Sequence, residues 1–457
     1  MWCVSNIFVK IIIYILCMKE KINIVGSGIA GLSCAFKLIN NCKNTKDNYD
    51  IHIYEATDRI GGQLNTKPEI IEFWLFLKSS RLIYLMETLN IEQEIFQYDI
   101  YNNYNVDTKQ LIKSLNVNSL LFVKDIIMFI IQNNFNETKD IYLVDFMNKY
   151  NLTNDNIIRN KINVFICILL FYSNKISLNI LLKFIKKKLI SGINILTNIQ
   201  IIVKTLIKYL KNNKVHFHLN SPITKHKHKY FSGDTILKGK IVIAVDPYNA
   251  KKHFGIKIPK KLQGIENDFR YVYAIKINNK KMCDNLTKKY NIKQNNTVIF
   301  LSKWKIIVFL IIKNIDKTFS LKFIPQTFDT KGINGKTITE CNKIEFENEI
   351  ICQLFDSDIN INDSNNCQFI YPDNIKFIKN RITNTDISLN MFTPIVGTDE
   401  SLTPIKTKDE NVFLCGVYVE NSDFLFTIDS SIETGFNVAD IISLSQKNIN
   451  SSDIKTF

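Results

Sequence analysis

The feature that most constrains this chain is a short apolar strand that runs directly into a glycine-rich turn and then a helix. Lys21-Ile22-Asn23-Ile24-Val25 reads as the strand, Gly26-Ser27-Gly28-Ile29-Ala30-Gly31 as the turn, and Leu32-Ser33-Cys34-Ala35-Phe36-Lys37-Leu38 as the helix. Each glycine has its own task. Gly26 permits the tight turn, Gly28 lets the backbone approach a pyrophosphate, and Gly31 lets helix and strand pack closely. With Ile29 and Ala30 between them, these positions present the free N–H groups and positive dipole end of a helix N-terminus to phosphate.

The context makes the glycine spacing specific. A second strand, Ile51-His52-Ile53-Tyr54, ends at Glu55, 24 residues beyond Gly31. An acidic residue in that place accepts hydrogen bonds from the ribose hydroxyls of a bound dinucleotide. Ala56-Thr57-Asp58-Arg59-Ile60-Gly61-Gly62-Gln63 follows, with a second glycine pair placed to bring backbone amides to the far side of a pyrophosphate.

These two stretches resemble the flavin-containing amine oxidase superfamily, which includes protoporphyrinogen oxidases and phytoene desaturases. Its pattern GxGxxGLxxA, then E-A-x-D-R-x-G-G-R, is matched by Gly26, Gly28, Gly31, Leu32, Ala35, Glu55, Ala56, Asp58, Arg59, Gly61 and Gly62. Gln63 departs from it, standing where the family carries a basic residue. The resemblance implies FAD as cofactor. It also implies a backbone contact from Ile223 to the adenine, and a return to the nucleotide-binding sheet through Lys240-Ile241-Val242-Ile243-Ala244-Val245-Asp246 before the helix-starting Pro247.

The far end of the chain carries the other half of the pattern. Asn411-Val412-Phe413-Leu414-Cys415-Gly416 reads as a strand ending in glycine, and Ile428, Asp429, Ile432, Gly435, Ala439 and Ile442 fit the family's closing helix in register. In the family that helix aims its N-terminus at the pyrimidine end of the flavin, where a positive dipole end stabilises negative charge. Gly416, Val417, Thr427, Ile428 and Asp429 are therefore candidate cofactor-binding residues. Two departures stand out. Val417 replaces the family's acidic residue, and Thr427 occupies the place where amine oxidases proper put an aromatic wall of the substrate cage. Both weigh against a plain amine oxidase. So does Ile71-Glu72-Phe73-Trp74, bulky where the family has a glycine near the flavin.

Between the ends, residues 64–210 read mainly as helices, including Leu82 to Leu89, Leu120 to Ile131 and Ile176 to Ile190. From about 265 to 385 alternating strands dominate: Tyr271 to Ile277, Thr297 to Leu301, Ile306 to Ile312 and Ser320 to Ile324, with a helix near Lys343 to Leu354. His216, His218, His226 and His228 read as an exposed polar hairpin. A metal site is not expected there, because four histidines without an arranged carboxylate or cysteine are unusual for zinc.

The net charge of +15 comes from lysines spread along the whole chain, so no nucleic-acid-binding block is expected; association with an anionic membrane surface is compatible with it. Ten cysteines without a CxxC pair point to reduced thiols and an intracellular, cytoplasmic setting. The apolar run Ile7 to Cys17 is too short to span a bilayer, and initiation at Met18 would leave residues 1–17 dispensable.

The expected fold is α/β: a doubly wound, Rossmann-like FAD-binding domain assembled from residues 19–75, 200–250 and 405–445, with an inserted α+β substrate domain from 76–199 and 251–404. The expected function is an FAD-dependent oxidoreductase that takes a hydride equivalent from a C–H bond of a small or apolar organic substrate. No side chain is assigned as catalytic, since flavin chemistry demands no protein base. The alternative is a degenerate flavoprotein that keeps the fold as a structural or interaction module.

Overall fold

The computed structural model describes residues 19–43, 49–64, 73–77, 80–91, 95–96, 101–105, 110–115, 141–149, 177–180, 182, 193–197, 199–258, 273–290, 296–301, 303–313, 318–325, 330–355, 367–372, 375–385, 402–422 and 428–453. Residues 1–18, Ile71, Glu72, Thr427, all of 120–131 and most of 176–190 lie outside them, so the expectations placed there are not addressed.

Strand β1 (Glu20–Val25), helix α1 (Ile29–Lys43) and strand β2 (Tyr49–Tyr54) form the opening unit. Helix α2 (Ile199–Asn212) leads to β3 (His216–His218), and β4 (Lys240–Ile243), β5 (Val412–Leu414) and helix α3 (Ile428–Asp453) complete the domain. The five strands make one parallel sheet in the order β5-β4-β1-β2-β3. The chain leaves β1 toward β2 on one side and returns as β4 on the other. The carboxyl end of β1 is therefore a topological switch point, where open α/β sheets bind their ligands.

Side chains alternate across the sheet because a strand has a period of two. Ile22, Ile24, Ile51, Ile53 and Val242 face a core shared with α1, α2 and α3. Val25, Tyr54, Ile241, Ile243, Val412 and Leu414 face the opposite layer. That layer is a three-stranded unit (Ile223–His226, Lys229–Ser232, Thr235–Ile236) with the helix Pro247–Phe254. As the sequence suggests, the helix starts at Pro247. Asp246 caps it, accepting the Asn249 N–H at 3.0 Å, and Gly255 closes it in the left-handed region.

The second sheet has seven strands in the order 367–370, 273–277, 318–324, 306–313, 296–301, 101–105, 110–115, antiparallel except where 296–301 meets 101–105. Helices Lys280–Lys289 and Lys343–Phe355 share its core with Tyr273, Trp304 and Phe323. This is the α+β region expected from the alternating pattern.

Two readings need correction. Among the described residues of 64–210, helices such as Ser80–Thr88, Leu143–Lys149 and Ile199–Asn212 stand beside strands that the helical reading does not include: Phe73–Leu77, Ile95–Phe96, Tyr101–Asn105, Gln110–Leu115 and Ile193–Thr197. Short runs of Ile, Leu and Phe carry no periodicity that separates strand from helix, so tertiary pairing decides. Phe73–Leu77 pairs antiparallel with Ile193–Thr197 in a small sheet of its own. The helix Ser80–Thr88, within the stretch assigned to the inserted domain, buries Leu82, Leu85 and Met86 in the core of the parallel-sheet domain.

The second correction concerns the histidines. His216 and His218 lie on β3, an edge strand of the parallel sheet, whereas His226 and His228 lie in the separate hairpin. The four do not share one hairpin, because Asn220 and Ser221 turn away after β3 to bond back to Thr57 and Glu55.

Candidate functional site

The turn after β1 is built as its glycines require. Gly26 has φ +106°, and a Cβ there would meet the Ala244 carbonyl oxygen at 2.6 Å, so β4 and the turn can approach only without a side chain. At Gly31 a Cβ would lie 2.3 Å from the Gly26 carbonyl oxygen. Gly28 differs: nothing lies within 4 Å of its Cβ position. Gly62, at φ +56°, closes over it, with its own Cβ position 3.1 Å from the Gly28 Cα. The Gly61 N–H donates to the Ser27 carbonyl at 3.0 Å, so both glycine turns meet at the carboxyl end of β1. Ile29 and Ala30 begin α1, whose first-turn N–H groups have no intrahelical acceptors.

Glu55 stands at the end of β2. Its Oε2 accepts the Ser27 hydroxyl at 2.6 Å and the Ser27 N–H at 3.1 Å; its Oε1 accepts the Thr57 N–H and hydroxyl, each at 3.0 Å. These four bonds fill the acceptor capacity of a carboxylate. Ser27 is buried, while Thr57 is exposed and its hydroxyl also reaches the Arg59 carbonyl at 3.2 Å. A ribose hydroxyl can thus replace the Thr57 hydroxyl on Oε1 while Ser27 keeps the carboxylate aimed. The sequence singles out Glu55 but not the Ser27 and Thr57 side chains that share its carboxylate, which sit at the variable positions of both motifs.

Ile223 lies close to the same place. The Ser221 N–H donates to the Glu55 carbonyl at 2.8 Å and the Asn220 N–H to the Thr57 carbonyl at 2.9 Å, so the segment leading to Ile223 is stitched along the Glu55 loop. The Ile223 side chain is buried with Tyr54 and Ile243. Ala56 and Gln63 are exposed and Arg59 is half-buried.

The far end of the chain completes the arrangement. Cys415 extends β5 by donating its N–H to the Ile243 carbonyl at 3.1 Å, and Gly416 follows at φ +137°. The Gly416 N–H donates to Thr434 Oγ1 of α3 at 2.9 Å. The Ser422 N–H and hydroxyl donate to the buried carboxylate of Glu433, which also meets Arg81 at 3.4 Å. Val417 is half-buried; Ile428 and Asp429 are buried in the first turn of α3. Burial pushes the phenol of Tyr418 well above its usual range, and the Cys415 thiol up to about 12.

Helices α1 and α3 run parallel. Phe36 stacks on Phe436 at 6.0 Å, Lys37 pairs with Asp440 at 3.5 Å, and the Asn41 amide donates to Asp440 and Ser443. Gly435 lies against Ala30, so α3 begins about two turns earlier than that contact. The N-termini of both helices therefore open on the same side of the sheet, at its carboxyl edge.

Residues 24–81 match the NAD(P)-binding Rossmann-like domain family. No curated protein matches the chain's sequence. Among solved structures, the fold is similar to an oxidoreductase from Methanosarcina mazei (TM-score 0.61, 11% identity, 92% of this chain and 100% of that one). It is similar to cyclohexylamine oxidase from Brevibacterium oxydans (TM-score 0.56, 13% identity, 94% and 100%). It is also similar to a putrescine oxidase bound to putrescine (TM-score 0.57, 14% identity, 93% and 99%). The chain thus has the α/β fold of flavin amine oxidases and related oxidoreductases, spanning nearly their full length, with strongly diverged sequence. Among the described residues, no helix is long and apolar enough to cross a membrane.

Proposed function

We propose that this protein is an FAD-dependent oxidoreductase that takes a hydride equivalent from a C–H bond of a small organic substrate. One observation carries the reading: the packing of α3 along α1 brings the N-terminus of the last helix to the same sheet edge as the glycine turn of the first. An extended dinucleotide needs both, phosphates at the first helix and ring system near the last.

The residues present fit such a cofactor. The open space over Gly28 is the room a pyrophosphate needs, and the first-turn amides of α1 supply donors and a positive dipole end. Glu55 would hold the ribose end of the cofactor. The start of α3 would lend a helix dipole that stabilises negative charge on a reduced ring bound near it. When bound, FAD supplies the hydride acceptor, and the protein orients substrate and tunes the ring. The amine oxidase folds make small amines the first substrates to try, although Val417 and Thr427 differ from the pattern of that family.

The test is the purified full-length chain. Bound flavin absorbance that bleaches anaerobically with cyclohexylamine, putrescine or another small organic substrate supports the reading. Val417, apolar and half-buried where the resembled family carries an acid, favours a second reading in which the fold serves as a non-catalytic module. Protein that stays colourless and takes up no added FAD would decide for that one.

A further inference from the structure

The face of the parallel sheet opposite α1 is covered by apolar packing only as far as Tyr54 and the hairpin that holds Ile223 and Tyr230. Beyond it, at the β2–β3 edge, the same face carries polar groups instead. Asp50 and His52 are two residues apart on β2 and so share that face, and His216 lies directly opposite His52 in the parallel register. The sequence holds the signal in two alternating pairs, Asp50-x-His52 and His216-x-His218, but only strand pairing shows that they adjoin.

The geometry is that of a ligand set. His52 Nε2 lies 2.9 Å from Asp50 Oδ2, and His216 Nε2 lies 3.6 Å from Asp50 Oδ1. One donor atom from each of Asp50, His52 and His216 falls within 4.8 Å of the others. Tetrahedral zinc, with bonds of about 2.0–2.2 Å, holds its ligands roughly 3.4 Å apart, so small side-chain rotations suffice. The other nitrogen of His52, Nδ1, lies 2.9 Å from His218 Nε2. A metal-bound histidine usually passes its second ring N–H to such an acceptor, which fixes its tautomer and orientation. His216 is half exposed, leaving a solvent-facing fourth position for water. Lys21, in register with Asp50, opposes a cation with a single positive charge.

We propose that Asp50, His52 and His216 form a site for a divalent transition-metal ion of the zinc class, with His218 orienting His52. The site is separate from the dinucleotide position and does not depend on the flavin reading. It clamps the three-residue edge strand β3 to β2, just before Glu55, whose N–H donates to the His218 carbonyl at 2.8 Å. Ion binding therefore stiffens the strand pair that ends at Glu55.

The experiment uses the full-length chain, reduced, stripped with EDTA, desalted and titrated with zinc chloride by calorimetry. The expected result is one equivalent bound with a dissociation constant in the micromolar range or tighter, and a melting temperature raised by the ion. His216→Ala and the near-isosteric Asp50→Asn should each weaken binding about tenfold or more, with unchanged circular dichroism. A His226→Ala/His228→Ala double variant, altered in the neighbouring hairpin, should bind as the parent does. Absence of zinc binding by the parent would overturn the proposal. So would binding that survives both His216→Ala and Asp50→Asn, since the ion would then reside on other groups such as the cysteines.

Discussion

A Cβ built on Gly435 in α3 would sit 2.4 Å from the carbonyl oxygen of Ala30 in α1 and 3.0 Å from the amide nitrogen of Cys34. Both obstacles are backbone, so neither can rotate away. This contact sets how closely the last helix approaches the first, and hence where its N-terminus opens. Gly435→Ala is expected to push the helices apart and lower stability by about 1–3 kcal/mol. Thermal melts would show that loss, and retained flavin per chain should fall with it.

The glycines of the first turn should separate into two classes. Gly31→Ala meets backbone at 2.3 Å and should destabilise the fold outright. Gly28→Val has open space around its Cβ, so the protein should fold while the added side chain fills the space proposed for the pyrophosphate. A folded Gly28→Val chain that no longer binds FAD, seen by circular dichroism and flavin fluorescence together, is the expected outcome. Undiminished FAD binding would remove the phosphate role.

Glu55 makes four hydrogen bonds through a charged carboxylate. The amide of Glu55→Gln has one oxygen and one NH2 group, so either the Ser27 or the Thr57 N–H would then face another donor. The expected cost is about 1–3 kcal/mol in stability. FAD affinity should fall by about tenfold or more as the charged acceptor for ribose is lost, measurable by fluorescence titration.

Cys34 and Cys415 are both fully buried in the nucleotide domain, and burial raises both thiols. A thiolate is the reactive form, so native protein at neutral pH should leave these two unmodified by a thiol reagent. Mass spectrometry after brief labelling should find them modified only once the chain is unfolded. Half-buried Cys42 and Cys367 should be labelled earlier.

Much of this site was legible from local chemistry. A turn that needs left-handed backbone at Gly26 and close packing at Gly31 betrays itself in five or six residues. Asp246-Pro247 likewise announces a helix start without help from the rest of the chain. The strands at 73–77, 101–105 and 110–115 were not legible, because short apolar or Asn-rich runs take their conformation from the partners they meet.

By itself, then, the sequence determined the strand–turn–helix unit, the acidic end of β2, the alternating strands at 273–277, 296–301, 306–313 and 318–324, and the family its two ends resemble. All of these rest on interactions within a few residues or on side-chain period. Only the tertiary structure decided that Ser27 and Thr57 share Glu55, that Gly435 touches Ala30, and that His216 lies beside His52 rather than His228. Neighbours in a parallel sheet are joined by long crossovers, and the crossover's length carries no information about which strands end up side by side. The register that unites Asp50, His52 and His216 is a property of the packed sheet, in which hydrophobic burial on one face fixes what the other face must display.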